Sequence, residues 1–346
     1  MTNLGLVVPC RNEARVVRRK IANLAQCLWP SAANAHRLVI VDDGSDDGTR
    51  EAAGAALAEF EDALRARGVT AELVENDVRP GKTGAITQGL RTLGATTELI
   101  VLSDADVLLA QDALVELARP FESDPRVAMA CAAQVMLDDL PADGVLDPRA
   151  SNRSSVYDRA TAWIRRFESA LGALFSVHGQ LMAWRSSLAI EPTRGMAADD
   201  LDLMLQARCA GQRVVFAPRA RFFEERPAGA EDRRRQAARR ARAFLQFLEH
   251  PRRAEFAAAG PWPWRAQAAL YLRLETLCAG ALIGAFLLYV ATWIGVWPPG
   301  WAWSVRIAAL ALSLPLALAV RRTLGQAHFG DGAPRGQRDR WETVRK

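Results

Sequence analysis

From Leu4 to Leu102 the chain alternates short apolar runs with longer stretches in which apolar positions recur at helical spacing. Leu4–Val8, Leu38–Val41, Ala71–Val74 and Leu99–Leu102 are predicted strands. Glu13–Leu28 (through Val16, Val17, Ile21 and Leu24), Thr49–Arg67 and Gly84–Leu93 are predicted helices. Short strands separated by helices predict an α/β fold with a mostly parallel, doubly wound, Rossmann-like sheet flanked by helices. Such sheets bind ligands beyond the carboxyl ends of their strands. Polar residues collect at those ends: Arg11-Asn12-Glu13, Asp42-Asp43, and Asp104 with Asp106. After Val127 the pattern is less regular. Val127–Val135, Gly179–Trp184 and Arg213–Ala217 read as strands, and Ser154–Phe175, Asp200–Ala210 and the arginine-dense stretch 231–250 as helices.

The apolar residues are densest near the C-terminus. Leu277–Trp297 holds no charged residue, and Trp301–Val320 holds only Arg306, with Pro298-Pro299-Gly300 between them. Each approaches the roughly 20 residues needed to cross a bilayer. A buried hairpin in a soluble core is the alternative. The tryptophans flanking both runs and the absence of charge favour a two-helix transmembrane hairpin. Arg265 and Arg273 before it, and Arg321 and Arg322 after it, predict that both ends face the cytoplasm. Pro261–Glu275 mixes aromatic, aliphatic and arginine residues as an interfacial helix does. The expected organisation is an α/β domain over 1–230, amphipathic or interfacial helices over 231–276, the hairpin over 277–320 (277–297 and 301–320) and a polar tail over 321–346.

The formal charge of +5 is carried almost wholly by arginine; lysine occurs only at Lys20, Lys82 and Lys346. No basic stripe interleaved with aromatics and no helix-turn-helix pattern accompanies it, so nucleic acid is not an expected partner. The five cysteines are scattered without metal-ligand spacing, as expected of reduced thiols in the cytosol. No basic, then apolar, leader precedes the first strand, which predicts an α/β domain that stays in the cytoplasm.

Asp104-Ala105-Asp106 follows an apolar strand, where two carboxylates suit a divalent cation such as Mg²⁺ or Mn²⁺ that also takes phosphate oxygens. Asp42-Asp43 opens a βα turn. Asp47 or Thr49 there can cap the next helix, but the paired acids before the turn exceed what capping needs and suit a nucleobase or ribose hydroxyl. Glu13 either joins them or is a first-turn helix acid. Arg79-Pro80-Gly81-Lys82-Thr83-Gly84 lacks the spacing of a nucleoside triphosphatase P-loop, yet Lys82 before a helix can contact a diphosphate. Asp199-Asp200-Leu201-Asp202 enters an apolar helix. Its acids either cap that helix or provide a general base.

In this order the motifs resemble the family-2 inverting glycosyltransferases of the GT-A fold, in particular their cellulose-synthase-like bacterial branch. The resemblance runs from about Leu4 to Leu248. It rests on Val8-Pro9-Cys10-Arg11-Asn12-Glu13, Lys20-Ile21-Ala22-Asn23-Leu24, Val41–Thr49, Pro80-Gly81-Lys82-Thr83-Gly84-Ala85, Ser103–Val107, Ala198-Asp199-Asp200-Leu201 and Arg213–Pro218. It implies a membrane enzyme that transfers a sugar from a nucleotide-sugar donor, expected to be a UDP-sugar, to a lipid-linked or saccharide acceptor. It also implies roles for individual residues. Pro9, Glu13, Asp42, Asp43 and Lys82 would line the nucleotide pocket, with Asp104 at the ribose and metal and Asp106 on the Mg²⁺ or Mn²⁺. Asp200 would be the base of a single inverting displacement, and Gly179 and Gln180 would approach the acceptor beside Asp199. The expected location is the cytoplasmic face of a bacterial inner membrane. One departure stands out. The Gln-x-x-Arg-Trp of processive members is matched only by Gln236-Ala237-Ala238-Arg239-Arg240. Gln236 and Arg239 retain a possible diphosphate contact, but the sugar-stacking tryptophan is an arginine. Transfer of one or a few sugars is therefore expected ahead of processive polymer synthesis, and a non-catalytic scaffold of the same fold is the alternative of another kind.

Overall fold

A computed structural model describes residues 3–30, 35–94, 97–146, 156–227, 229–292, 303–305 and 307. The chain divides into two compact units, Met1–Pro227 with Pro251–Arg265, and Ala228–His250 with Ala266–Lys346. The first unit is built on one eight-stranded sheet of order β3-β2-β1-β4-β7-β6-β8-β5. Its strands are β1 (Leu4–Cys10), β2 (His36–Asp42), β3 (Val69–Glu75), β4 (Leu99–Ser103), β5 (Leu108–Leu109), β6 (Val127–Leu137), β7 (Leu181–Arg185) and β8 (Arg213–Glu225). Its helices are α1 (Val17–Gln26), α2 (Thr49–Glu59), α3 (Glu61–Arg65), α4 (Lys82–Leu93), α5 (Ala113–Ser123), α6 (Val156–Ala170), α7 (Asp199–Cys209) and α9 (Arg253–Ala258). In the second unit lie α8 (Ala230–Leu248) and α11 (Leu274–Ala291), while α10 (Trp262–Leu272) runs across the division at Arg265.

The N-terminal half is as expected: β3, β2, β1 and β4 are all parallel. Leu6, Val8, Leu38, Ile40 and Leu102 in these strands have no exposed surface, and each such side chain contributes roughly 1.5–3 kcal/mol by burial. Helix α4 packs directly on β1 because Gly89 has no side chain; a Cβ there would meet Val7 Cγ1 at 2.3 Å. This close seating brings the N-terminus of α4, with Lys82, to the carboxyl edge of the sheet.

Beyond β4 the expectation of a mostly parallel sheet fails. β7 is antiparallel to both β4 and β6, and β5 is antiparallel to β8; only β6 and β8 run parallel. Apolar periodicity marks a strand but not its direction. Here direction is set by long-range bonds, since the Asp104 N–H donates to the Gln180 carbonyl at 3.1 Å and so holds the start of β7 at the end of β4.

Three predicted helices also differ. α1 begins only at Val17, because the N–H groups of Asn12, Glu13 and Ala14 donate to Ser45, Thr49 and Asp47 side chains of the neighbouring loop. Glu13 is thus a loop residue, not a first-turn helix acid. The expected helix Thr49–Arg67 is interrupted at Phe60, whose ring lies under the Arg18 guanidinium. α6 stops at Ala170, five residues before the expected Phe175, where Gly172 turns left-handed with φ of 68°.

Residues 251–265 are fastened to the first unit by Arg208, which has no exposed surface. Its guanidinium lies over the rings of Phe256 and Trp264, and it donates to the carbonyls of Ala173 and Trp264. In the second unit, Phe244 and Phe247 of α8 stack at 6.3 Å.

The transmembrane hairpin is not supported. Among the described residues no helix is long and apolar enough to cross a membrane. α11 has 18 residues, its uncharged part begins only after Glu275, and it ends at Ala291, before the expected Trp297. That uncharged part is shorter than the roughly 30 Å hydrocarbon core of a bilayer. The second expected span and the polar tail fall almost wholly outside the described residues.

Candidate functional site

Four acidic or basic segments far apart in sequence converge at the carboxyl edge of β1, β2 and β4. Asp42 ends β2 and Asp43 follows it; both are buried. The two carboxylates do different work. Asp43 accepts from the Gly81 N–H at 2.8 Å, from Asn76 Nδ2 at 2.6 Å and from Arg11 at 3.3 Å. It therefore holds the glycine turn before α4. Asp42 Oδ1 is buried and, among the described residues, has no hydrogen-bond partner. A buried acceptor left open is costly and suits an N–H or hydroxyl brought by a ligand. Pro9 lies next to this position on β1, opposite Val41.

Lys82, the first residue of α4, bridges two further segments. Its Nζ is 2.9 Å from Asp104 and 3.3 Å from Asp199. Burial opposes its charge, but Asp104 and Asp199 hold its pKa above the usual lysine value. Asp199 is buried, and its carboxyl is raised by that burial, with Lys82 acting against the rise. Burial and the adjacent Asp199 push the Asp200 carboxyl up to about 6. Asp200 Oδ1 accepts the Leu201 N–H at 2.8 Å. On its other side it rests on Gly179, where a Cβ would lie 2.8 Å from the Asp200 Cβ. The third acid of this segment is structural: Asp202 is fully buried and accepts from the Thr193 hydroxyl and N–H.

The acidic turn Asp104-Ala105-Asp106 lies between these groups. The Gln180 carbonyl takes the Asp104 N–H, so Gly179-Gln180 sits between the turn and Asp200. Gln180 Nε2 also approaches Glu224 at 3.4 Å, and Gln134 donates to the same carboxylate. Asp106 is exposed and, among the described residues, makes no ion pair. Burial, then Asp106 and Asp104, push the Glu13 carboxyl up to about 7. Burial is the larger cause, and the negative charge of the turn adds to it.

Among the described residues no group of three or more His, Cys, Asp or Glu side chains forms a metal cage. Asp104 and Asp106 nonetheless offer the hard oxygen donors that Mg²⁺ and Mn²⁺ take, and such ions are usually completed by phosphate oxygens and water. The acid excess felt at Glu13 is what a cation would relieve. The residues fit a divalent ion that arrives with a diphosphate.

A family model described as "Glycosyltransferase like family 2" matches residues 2–243. The chain belongs to glycosyltransferase family 2. Among curated proteins no relative matches it. Among solved structures, this glycosyltransferase is similar to the mannosyltransferase PcManGT from Pyrobaculum calidifontis, solved with GDP-Man and Mn²⁺. The identity is 24%, with 93% of this chain and 87% of that one covered and a TM-score of 0.58. It is also similar to residues 1–349 of S. aureus TarS, at 13% identity, covering 94% and 88% with a TM-score of 0.50. These likenesses establish the GT-A-like α/β fold.

Of the residues singled out in the sequence of this glycosyltransferase, Pro9, Glu13, Asp42, Asp43, Lys82, Asp104, Asp106, Gly179, Gln180, Asp199 and Asp200 meet at this edge. Gln236 and Arg239 lie on α8, in the second unit. Asn76 is not among the residues that the sequence singles out, and Arg79 is among them only as the first residue of the segment Arg79–Gly84. Asn76 holds Asp43 and the Arg79 carbonyl, and Arg79 ties the start of α4 to the Pro192 carbonyl. Both also bond locally, Asn76 Oδ1 accepting the Val78 N–H and Arg79 donating to the Thr83 carbonyl, but their ties to Asp43 and Pro192 exist only in the folded chain.

Proposed function

We propose that this glycosyltransferase moves a sugar from a nucleotide-sugar donor to an acceptor hydroxyl by a single displacement with inversion, using Asp200 as general base. The observation that carries the reading is the convergence of a buried, open acceptor (Asp42), a lysine bridging two acid segments (Lys82) and a carboxyl raised to about 6 (Asp200) around one edge. The mannosyltransferase solved with GDP-Man and Mn²⁺ supports a donor and a metal of this class. Asp42 would receive the base or ribose, Lys82 would face the diphosphate, and Asp106 with Asp104 would hold Mg²⁺ or Mn²⁺. The ion, when bound, would offset charge on the departing nucleoside diphosphate. Asp200 would take the proton of the attacking hydroxyl, and a base whose pKa lies near the operating pH does this best. Incubation with a panel of UDP- and GDP-sugars, with and without Mn²⁺, followed by mass analysis of extracted lipids and saccharides, tests the reading. Failure to release nucleoside diphosphate from any donor would overturn it.

Gly179 offers a narrower test. Gly179→Ala is expected to displace the Asp200 carboxylate and lower kcat about 100-fold, because such misplacement is costly in a positioned site. Nucleotide affinity should stay unchanged, as measured by kcat against direct nucleotide titration.

The acceptor is proposed to be membrane-associated, with the catalytic unit at the cytoplasmic face. Support comes from α6, which exposes the stacked pair Trp163 and Phe167 together with Ile164, Arg159 and Arg166. Glu168 of the same helix turns inward onto the N–H groups of Phe175 and Ser176. An aromatic and basic face suits an anionic lipid surface. Replacing Trp163 and Phe167 by alanine together is expected to weaken sedimentation with phosphatidylglycerol-containing vesicles at least about tenfold, and equal binding would remove this part of the proposal.

A further inference from the structure

The segment Lys20-Ile21-Ala22-Asn23 has no part in the chemistry above, yet it lies directly beneath the acidic turn. Lys20 has no exposed surface. Its Nζ donates to Ser103 Oγ at 2.7 Å and to the Val107 carbonyl at 2.9 Å. These two residues flank Asp104-Ala105-Asp106 on either side. One helical turn further on, Asn23 donates to the carbonyls of Leu109 and Gly144 at 3.0 and 3.2 Å and accepts the Leu109 N–H at 2.7 Å. Helix α1 therefore grips the turn before its first acid, after its second, and again two residues later.

A lysine is an expensive way to fill such a place. Among the described residues both of its hydrogen bonds go to uncharged oxygens and it makes no ion pair, and a buried ammonium in that position carries a large desolvation cost. A methionine would fill the same volume without that cost. The lysine adds two things a methionine lacks: directional bonds to both flanks of the turn, and positive charge under two carboxylates that repel each other and Glu13.

We propose that Lys20, supported by Asn23, is a positioning residue for the acidic turn, holding Ser103–Val107 in the one geometry that accepts a divalent cation with a nucleoside diphosphate. The inference rests on the reading of Asp106 as a cation ligand. Residues that orient metal ligands from behind typically affect metal affinity by 10–100-fold when replaced, whereas a lysine serving only the core would change stability and nothing at the site.

Calorimetric titration of Mn²⁺ in the presence of UDP, and separately of GDP, decides between these. Lys20→Met is expected to weaken Mn²⁺ binding at least about tenfold and to speed amide hydrogen exchange across Ser103–Val107. Asp106→Ala should abolish Mn²⁺ binding, and the double variant should match Asp106→Ala, because Lys20 acts through that carboxylate. Ser103→Ala keeps the buried charge and removes one anchor. It should weaken Mn²⁺ binding about threefold, and it decides the matter if Lys20→Met does not fold. A lower Tm in Lys20→Met with unchanged Mn²⁺ affinity and unchanged exchange would overturn the inference and leave the assignment of Asp106 intact. Unchanged Mn²⁺ affinity in Asp106→Ala would overturn both.

Discussion

Asp200→Asn is expected to lower kcat by about 10³-fold, within the range general bases supply, with nucleotide binding preserved. Asparagine keeps the shape of the side chain and its Oδ1 can still accept the Leu201 N–H, so the packing against Gly179 survives. Only the ability to take a proton is lost. The pH profile gives a second readout. Burial and Asp199 raise the Asp200 carboxyl to about 6, and a base works only when deprotonated. Activity of the unaltered protein should therefore fall about tenfold per pH unit as pH drops below about 6. The residual rate of Asp200→Asn should show no such limb. Unchanged kcat in the variant, or an acid limb that persists in it, would remove Asp200 as the base.

The second large effect is expected at Asp106. Asp106→Ala should lower kcat/KM for the donor by about 10²–10³-fold, the scale on which single groups stabilise developing charge. The stimulation by Mn²⁺ should disappear with it. Stability should change little, because the side chain is exposed and makes no ion pair among the described residues. Asp104 is a poorer test, since its removal also leaves Lys82 without one of its two acidic partners. Initial rates across a Mn²⁺ series, with thermal unfolding as control, check the prediction. A variant that keeps its metal response would sink the assignment.

Much of this site was legible in the order of residues because strand ends are local features. Runs such as Ile100-Val101-Leu102 stop where Asp104 begins, and parallel α/β sheets bind at that edge. The scarcity of lysine gains meaning only from the structure: in a chain that uses arginine almost everywhere, the two internal lysines, Lys20 and Lys82, both touch the acidic turn or its flanks. The apolar C-terminal pattern was less informative. Hydropathy measures how apolar a run is and says nothing of where the helix within it starts and stops; α11 already begins at Leu274, ahead of Glu275, and ends at Ala291.

The sequence by itself determined the element order of the first half, the parallel β1–β4 core and the placing of acids at strand ends, since these follow from short-range periodicity and turn chemistry. Tertiary structure alone decided which contacts each acid makes. Asp42 and Asp43 are equivalent in any local reading; one keeps an open oxygen and the other is spent on Gly81 and Asn76 only because β3 and α4 pack beside β2. The same holds for Asp199, Asp200 and Asp202, which are told apart by Lys82, Gly179 and Thr193. A carboxylate's role is set by the partners that desolvate and pair it, and those partners come from distant segments of the chain.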